Sequence, residues 1–377
     1  MSLETEISNT LQAIFNEAFA DDNLTISLTE KVLPDDWGRN RIWRYSMTGA
    51  SYLPETVIVK ISKIGHGHIF HEWASLQFLN QFPDLDNLVP RLYGGDRSLE
   101  VLVMEDLGDV RNRHALSLIL EGDDAQVART ALVAHARQMG DLHRITAHHE
   151  AKYLAVRQQF PETQRLVEKD QFDTHFQWFR AMLARFGVDV PQNLDEELED
   201  IAIRLHNPDA IRAYTRGDVC PSNVAYQDNK TRFYDFEMGG YRNVFLSAVY
   251  FRLSHVSCLN GSVIPIDVQA EAEKAYFETM HTLMPDVGQY QSDYAGSAIA
   301  LLIWMMSRYL EKQDRPRHLM TRHQRVWAGL DLYLNNPLFC EPYPAVTQSL
   351  KALRDVLDSQ WSDDIKTMTI FPAFEKS

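Results

Sequence analysis

The order of hydrophobic periods along this chain predicts an α+β protein in two parts, a small β-rich part at residues 1–108 and a larger, mainly helical part at residues 109–377. Three observations carry that prediction. Segments rich in β-branched and aromatic residues cluster before Gly108, apolar spacing of three and four dominates after it, and one β-rich island, Val224 to Glu237, interrupts the helical stretch. With 377 residues, 45% of them hydrophobic, the chain has apolar material for a sizeable core and length for both parts.

Leu3, Ile7, Leu11, Ile14 and Ala18 recur at helical intervals and predict an amphipathic helix over 2–20, stopped by Asp21, Asp22 and Asn23. Thr25–Val32, Ile42–Met47 and Thr56–Ile61 read as strands of an antiparallel sheet, separated by turn-rich Pro34–Gly38 and Thr48–Ser51. A helix over Ile69–Phe82, with Trp73, Leu76 and Leu79 on one face, precedes two short strands around Arg91–Tyr93 and Leu99–Met104. Beyond Gly108 the predicted helices span Asp124–Arg144, Phe172–Phe186 and Leu194–Leu205, then most of 266–365; the Val224–Glu237 island forms two strands broken at Asp228, Asn229 and Lys230. The sequence contains no internal repeat and no low-complexity tract.

A net charge of −15 opposes binding to a phosphate backbone, so no nucleic-acid partner is expected. The most apolar window, Ala295–Met306, falls short of the roughly 20 residues a bilayer span requires and predicts a buried helix instead, with no membrane partner. The first residues carry acidic side chains and no continuous apolar core, unlike a secretory signal. Three cysteines, Cys220, Cys258 and Cys340, show neither metal-ligand spacing nor a paired pattern, which argues for a reducing compartment rather than a disulfide framework. The expected location is cytoplasmic. Oligomeric state is not legible.

The segment with the sharpest chemistry is Arg216-Gly217-Asp218-Val219-Cys220-Pro221-Ser222-Asn223, followed after the hairpin by Tyr234-Asp235-Phe236-Glu237. Phosphoryl transfer needs a carboxylate to orient the attacking hydroxyl and accept its proton, and hard oxygen ligands to hold Mg2+ against the phosphates. Asp218, Asn223 five residues later and Asp235 at the end of the next strand offer groups for those roles. Gly217, Pro221 and Ser222 suit a tight loop that turns Asp218 and Asn223 toward one point.

These residues resemble the family of aminoglycoside phosphotransferases, choline and ethanolamine kinases and homoserine kinases, whose catalytic loop reads His-Gly-Asp-x4-Asn and whose metal motif is Asp-x-Glu or Asp-x-Asp. The resemblance implies the two-lobed protein-kinase-like fold, Asp218 as catalytic base, and Asn223 and Asp235 as Mg2+ ligands. It also implies a set of ATP-binding residues. Lys60, in Thr56-Val57-Ile58-Val59-Lys60-Ile61, resembles the strand lysine that pairs with the phosphates, and Glu72, opening Glu72-Trp73-Ala74-Ser75-Leu76, resembles the helix glutamate that holds it. Gly38 and Asn40 resemble a phosphate-covering turn. Leu102-Val103-Met104-Glu105-Asp106-Leu107-Gly108 resembles the adenine-binding hinge, with backbone contacts from Glu105 and Leu107 and Met104 at the back of the pocket. Arg216 stands where the family usually has His, and Phe245-Leu246-Ser247-Ala248 where an Asp-Leu-Ala motif often follows.

The function this implies is ATP- and Mg2+-dependent phosphorylation of a hydroxyl on a small molecule such as an aminoglycoside, an amino alcohol or a sugar. The competing reading is a catalytically weak nucleotide-binding or regulatory protein on the same fold, motivated by Arg216 and Ser247. A protein kinase fits less well, because Asp235-Phe236 is followed by Glu237 and no Ala-Pro-Glu element exists. Substrate residues are expected in 256–377. His143 reads as a bracing residue of the core, the acidic run Asp195–Asp200 as a solvated helix face, and Phe172, Phe176, Trp178 and Phe179 as core.

Overall fold

The computed structural model describes residues 2–19, 24–33, 38–49, 53–63, 68–160, 170–315 and 318–375. The chain divides into two compact units: Met1–Val110 with Ala151–Arg165 and Arg232–Gly239, and Arg111–Glu150 with Leu166–Thr231 and Gly240–Ser377.

The first unit opens with α1 (Leu3–Phe19), then β1 (Thr25–Lys31), β2 (Asn40–Thr48), β3 (Thr56–Ser62), α2 (His68–Leu79), β4 (Leu92–Asp96) and β5 (Val101–Glu105). The five strands form one antiparallel sheet in the order β1-β2-β3-β5-β4. Alternation along β3 decides its two faces. Val57, Val59 and Ile61 join Trp43, Tyr45, Met47, Val101 and Val103 in a core closed by Ile7, Leu11 and Phe15 of α1. Lys60, between two of them, takes the other face, where α2 lies. That helix ends at Leu79, before the predicted Phe82, because the chain tightens into a single turn of 3-10 helix at Pro83–Leu85. The predicted breakers at 21–23, the turn residues 34–37 and residues 50 and 51 fall outside the described residues.

The second unit is mainly helical, α+β class being completed by short strands. Its elements run α3 (Leu116–Leu120), α4 (Ala125–Thr146), α5 (Glu150–Arg157, which enters the first unit), α6 (Phe172–Arg185) and α7 (Leu194–His206). They continue with β6 (Arg212–Thr215), β7 (Val224–Gln227), β8 (Lys230–Phe233), β9 (Gly240–Asn243), α8 (Phe245–Arg252) and α9 (Ile266–Met280). The chain closes with α10 (Gln291–Tyr309), α11 (Arg322–Leu334), α12 (Pro337–Cys340), α13 (Pro344–Gln360) and α14 (Asp363–Lys366). Asp124 caps α4 by accepting from the N–H groups of Gln126 and Val127, both at 3.0 Å. Gly140 lets α4 and α9 approach closely, since a Cβ there would meet the Thr279 side chain at 2.8 Å. The apolar window 295–306 lies within α10, a buried helix, and no described helix is long and apolar enough to cross a membrane.

Several predicted surface or core assignments have concrete partners. His143 is buried with Nδ1 2.8 Å from the Tyr276 hydroxyl. Phe172, Phe176 and Phe179 are core. Within the acidic run, Glu197 accepts from the N–H groups of Ala345 and Val346 at 3.0 and 2.9 Å, satisfying the start of α13. Asp228 and Asn229 both take left-handed φ, +52° and +59°, the conformation of a two-residue hairpin turn between β7 and β8.

Candidate active site

In the first unit, a lysine that the sheet turns toward α2 meets three carboxylates. Lys60 Nζ is 2.5 Å from Glu72 Oε2, 2.9 Å from Asp235 Oδ1 and 3.7 Å from Glu237 Oε2. Glu72 uses its second oxygen to accept the N–H of Phe236 at 3.1 Å, so one α2 side chain orders both the lysine and the turn after β8. Lys60 and Glu72 are buried, whereas the Asp235 side chain keeps a third of its surface exposed. Burial works to discharge Lys60, but Asp235, Glu72 and Glu237 outweigh it and hold the ammonium above its ordinary value. Burial likewise pushes the Glu72 carboxyl up, with the adjacent ammonium working against it. Asp235 itself adopts φ +62°, which a short polar residue tolerates better than most.

Gly38 and Asn40 also belong to this unit. Gly38 has φ +67° and its carbonyl accepts from Lys63 Nζ at 2.9 Å. Asn40, at the start of β2, donates its amide to Glu237 Oε2 at 3.3 Å, and Arg39 pairs with the same carboxylate. Glu237 therefore ties the glycine turn to the segment carrying Asp235. Sequence reasoning left it out of the site, although its position two residues after Asp235 in a metal-type motif was the available signal.

The hinge segment is braced from both sides within the unit. Met104 is buried in β5 opposite Ile58. The Glu105 N–H donates to the Arg91 carbonyl at 2.8 Å and its carboxylate takes Arg232 in a two-oxygen pair at 2.6 and 2.7 Å. Leu107 follows, half-buried, between Asp106 and Gly108. Arg44 holds this stretch through Asp106 Oδ2 at 2.5 Å and the Gly108 carbonyl at 3.0 Å.

Asp218 and Asn223 lie in the second unit, on the loop that leaves β6. Antiparallel pairing of β6 with β9, from Arg212 opposite Asn243 to Thr215 opposite Gly240, delivers the loop. Gly217 at φ +71° permits its first bend. Asp218 Oδ1 then accepts the N–H of Cys220 at 3.2 Å, and the Asn223 N–H closes a turn on the Cys220 carbonyl at 2.9 Å. Arg216 is buried and donates Nη2 to the Asn223 carbonyl at 2.7 Å, bracing the two ends of the loop against each other. Near it, burial drives His255 down to about 3 and His135 well below its ordinary value, so both rings stay neutral beside the guanidinium. After β9, Asn243 Oδ1 accepts from the Phe245 N–H at 3.0 Å, just ahead of the Phe245-Leu246-Ser247-Ala248 stretch that replaces the family's Asp-Leu-Ala motif.

The expectation of unpaired cysteines is corrected here. Cys220 and Cys258 form a disulfide with their Cα atoms 5.6 Å apart, while Cys340 is a free thiol. A separation of 38 residues with no periodic relation gave no sign of it; the fold brings the catalytic-type loop beside the turn that follows α8. Beside Gly217 the second unit also has a small pocket of about 30 Å³ bordered by Thr215, Arg242, Asp170, Tyr250 and Trp304. Arg242 Nε reaches both Asp170 oxygens at 2.6 and 2.8 Å, so the charged pair is neutralised internally and the remaining wall is largely apolar.

The five-stranded sheet with its buried Lys–Glu pair and the mainly helical unit with its Asp-x4-Asn loop make an α+β fold. No protein-family model matches the chain, and no curated protein matches it. Solved structures similar to it include the streptomycin–ATP–APH(2'')-IIa ternary complex, at 14% identity and TM-score 0.47, covering 90% of this chain and 99% of that one. Plasmodium vivax ethanolamine kinase is similar at 10% identity and TM-score 0.46, covering 90% and 85%. The amicoumacin kinase hAmiN in complex with AMP-PNP, Ca2+ and Ami is similar at 13% identity and TM-score 0.46, covering 94% and 96%.

Proposed function

We propose that this protein is a cytoplasmic ATP-dependent phosphotransferase that phosphorylates a hydroxyl of a small molecule. The observation that carries the reading is the buried ammonium of Lys60, held 2.5 Å from Glu72 and 2.9 Å from Asp235. Burying a lysine against three carboxylates is costly, and such a group is rarely kept for stability alone. It fits a lysine poised to trade a carboxylate contact for a nucleotide phosphate.

In the first unit the donors fit Mg2+: Asp235 contributes a carboxylate, a hard ligand, and the carboxylates around Lys60 outnumber the cations facing them; Asn223, on the second unit, carries the amide oxygen expected as the other ligand. Bound there, the ion supplies neutralisation of phosphate charge. The remaining work falls to the chain. Lys60 anchors the phosphates, Glu72 keeps Lys60 extended, and the hinge from Glu105 to Leu107 offers backbone groups to the base. Asp218, oriented by the Cys220 N–H, receives the proton of the acceptor hydroxyl as its oxygen bonds to the γ-phosphorus and the bond to the departing nucleoside diphosphate breaks.

Calorimetry with ATP and GTP in the presence of Mg2+, followed by a phosphorylation screen over aminoglycosides, amino alcohols, sugars and homoserine-like compounds, tests this. Absence of nucleotide binding at millimolar concentration overturns the reading.

A further inference from the structure

The half-exposed Cys220 and the buried Cys258 join two segments that are anchored by different groups. The turn carrying Cys258 is anchored independently of the disulfide. Buried Arg325 donates to the carbonyls of Val256 at 3.3 Å, Gly261 at 3.3 Å and Met320 at 3.4 Å, and to those of Cys258 and Leu259. Ser254 adds a second anchor, its hydroxyl accepting from the N–H of Ile264 at 3.1 Å and from Gln269 at 2.8 Å. Cys220, in contrast, sits on the loop between Gly217 and Asn223, and its own N–H is the donor that orients Asp218 Oδ1. The carboxylate and both sulfur atoms lie within 4.8 Å of one another. Whatever fixes Cys220 therefore fixes the donor to the proposed base.

We propose that the Cys220–Cys258 pair is a reversible oxidation site that sets the position of Asp218, holding the loop in its working geometry when oxidised and releasing it when reduced. The proposal rests on the phosphotransferase reading for its effect on turnover, but not for its effect on the loop. The reductant is a dithiol. Its thiolate attacks Sγ of the more accessible Cys220 and expels the Cys258 thiolate; its second thiol then displaces Cys220, closing a cyclic disulfide. Two electrons and two protons pass to the protein, leaving two thiols. Where a dithiol reductant is available, disulfides are usually transient and redox-sensing rather than structural.

The test uses the full chain carrying Cys340→Ser, so that no third thiol exchanges, equilibrated in oxidised or reduced dithiothreitol. Differential alkylation with mass spectrometry reads the thiol state, hydrogen exchange reads the amides of Val219, Cys220, Ser222 and Asn223, calorimetry reads ATP affinity, and release of ADP at saturating Mg2+–ATP reads turnover. Reduction is expected to expose both thiols, speed exchange across the loop, and lower turnover roughly tenfold at unchanged ATP affinity, the scale set by small misplacement of a reacting group. Cys220→Ser and Cys258→Ser should each reproduce the reduced state and respond to neither buffer. Alkylation of both cysteines in the oxidised sample, or equal exchange in the two buffers, overturns the proposal even if both variants fail to fold. If the chain binds no ATP in either buffer, the phosphotransferase reading falls, and loop exchange still decides the switch.

Discussion

Lys60 Nζ lies 2.9 Å from Asp235 Oδ1 although the two residues are 175 positions apart in the chain. Glu72 stands behind both, pairing with the lysine and accepting the N–H of Phe236. The cluster is a single electrostatic unit, and its members should respond to substitution together.

Lys60→Ala leaves Glu72 buried without its cation, while Glu237 keeps Arg39. Removing one partner of a buried pair costs on the order of 3–5 kcal/mol, and urea unfolding at neutral pH should show a loss of that size together with loss of ATP binding by calorimetry. Because Lys60 is raised in the folded state, its favourable contribution is fully present below its ordinary value of 10.5 and is lost only as pH rises beyond it, so the wild-type protein should show no such loss between pH 7 and 9.

Asp218→Asn should reduce phosphoryl transfer by about 10²–10⁴-fold with ATP affinity nearly intact, because the proposed role of this carboxylate is on the acceptor hydroxyl. Asp235→Asn should lower affinity for Mg2+–ATP and turnover together. Titration calorimetry beside single-turnover transfer assays separates the two patterns, and full activity of Asp218→Asn removes the assignment of the base.

Arg216→His tests the brace on the Asn223 carbonyl. An imidazole is shorter than the guanidinium that now spans 2.7 Å to that oxygen, and the buried setting already depresses two neighbouring histidines, so the variant should lose the bond rather than replace it. Turnover should fall roughly tenfold while the Michaelis constant for ATP holds, since the defect is misplacement on the loop. Turnover above wild type would show that Arg216 restrains the enzyme.

Acid should destabilise the second unit through His143, His255 and His135. All three are depressed in the folded state by burial, the first two to about 3, whereas in the unfolded chain they titrate near 6.5. The unfolded state therefore binds more protons between those values, and stability falls as pH falls through that window, by about 1.4 kcal/mol per pH unit for each group. Unfolding free energies at pH 7, 6 and 5 check the slope, and His143→Phe should flatten it by one group's share.

Reduction of Cys220–Cys258 should also lower global stability. For a 38-residue separation, the chain-entropy account sets this at up to about 4 kcal/mol, readable as a shift of the urea midpoint in reducing buffer.

Local patterns were legible because they depend on neighbours in sequence. Alternation made β3 a strand with Lys60 opposite Val57, Val59 and Ile61, and Asp228-Asn229 announced the hairpin through their tolerance of left-handed φ. The four-residue strands β6 and β9 carried too little periodicity to be seen, because each is stabilised by a partner that begins 25 or more residues away. Residue type alone announced Asp218, Asn223 and Asp235 as oxygen donors.

The sequence on its own settled the class of fold, the order of its elements and the chemical kind of each candidate group, since these follow from short-range periodicity and from what a carboxylate, an amide or an ammonium can do. Tertiary structure decided which groups share a site. It gathered Glu237 with Lys60 and Asn40, and joined Cys220 to Cys258 beside a turn held by Arg325. Those relationships depend on close packing between segments far apart in the chain, where a few ångströms decide whether two polar groups meet, and no local pattern encodes such a distance.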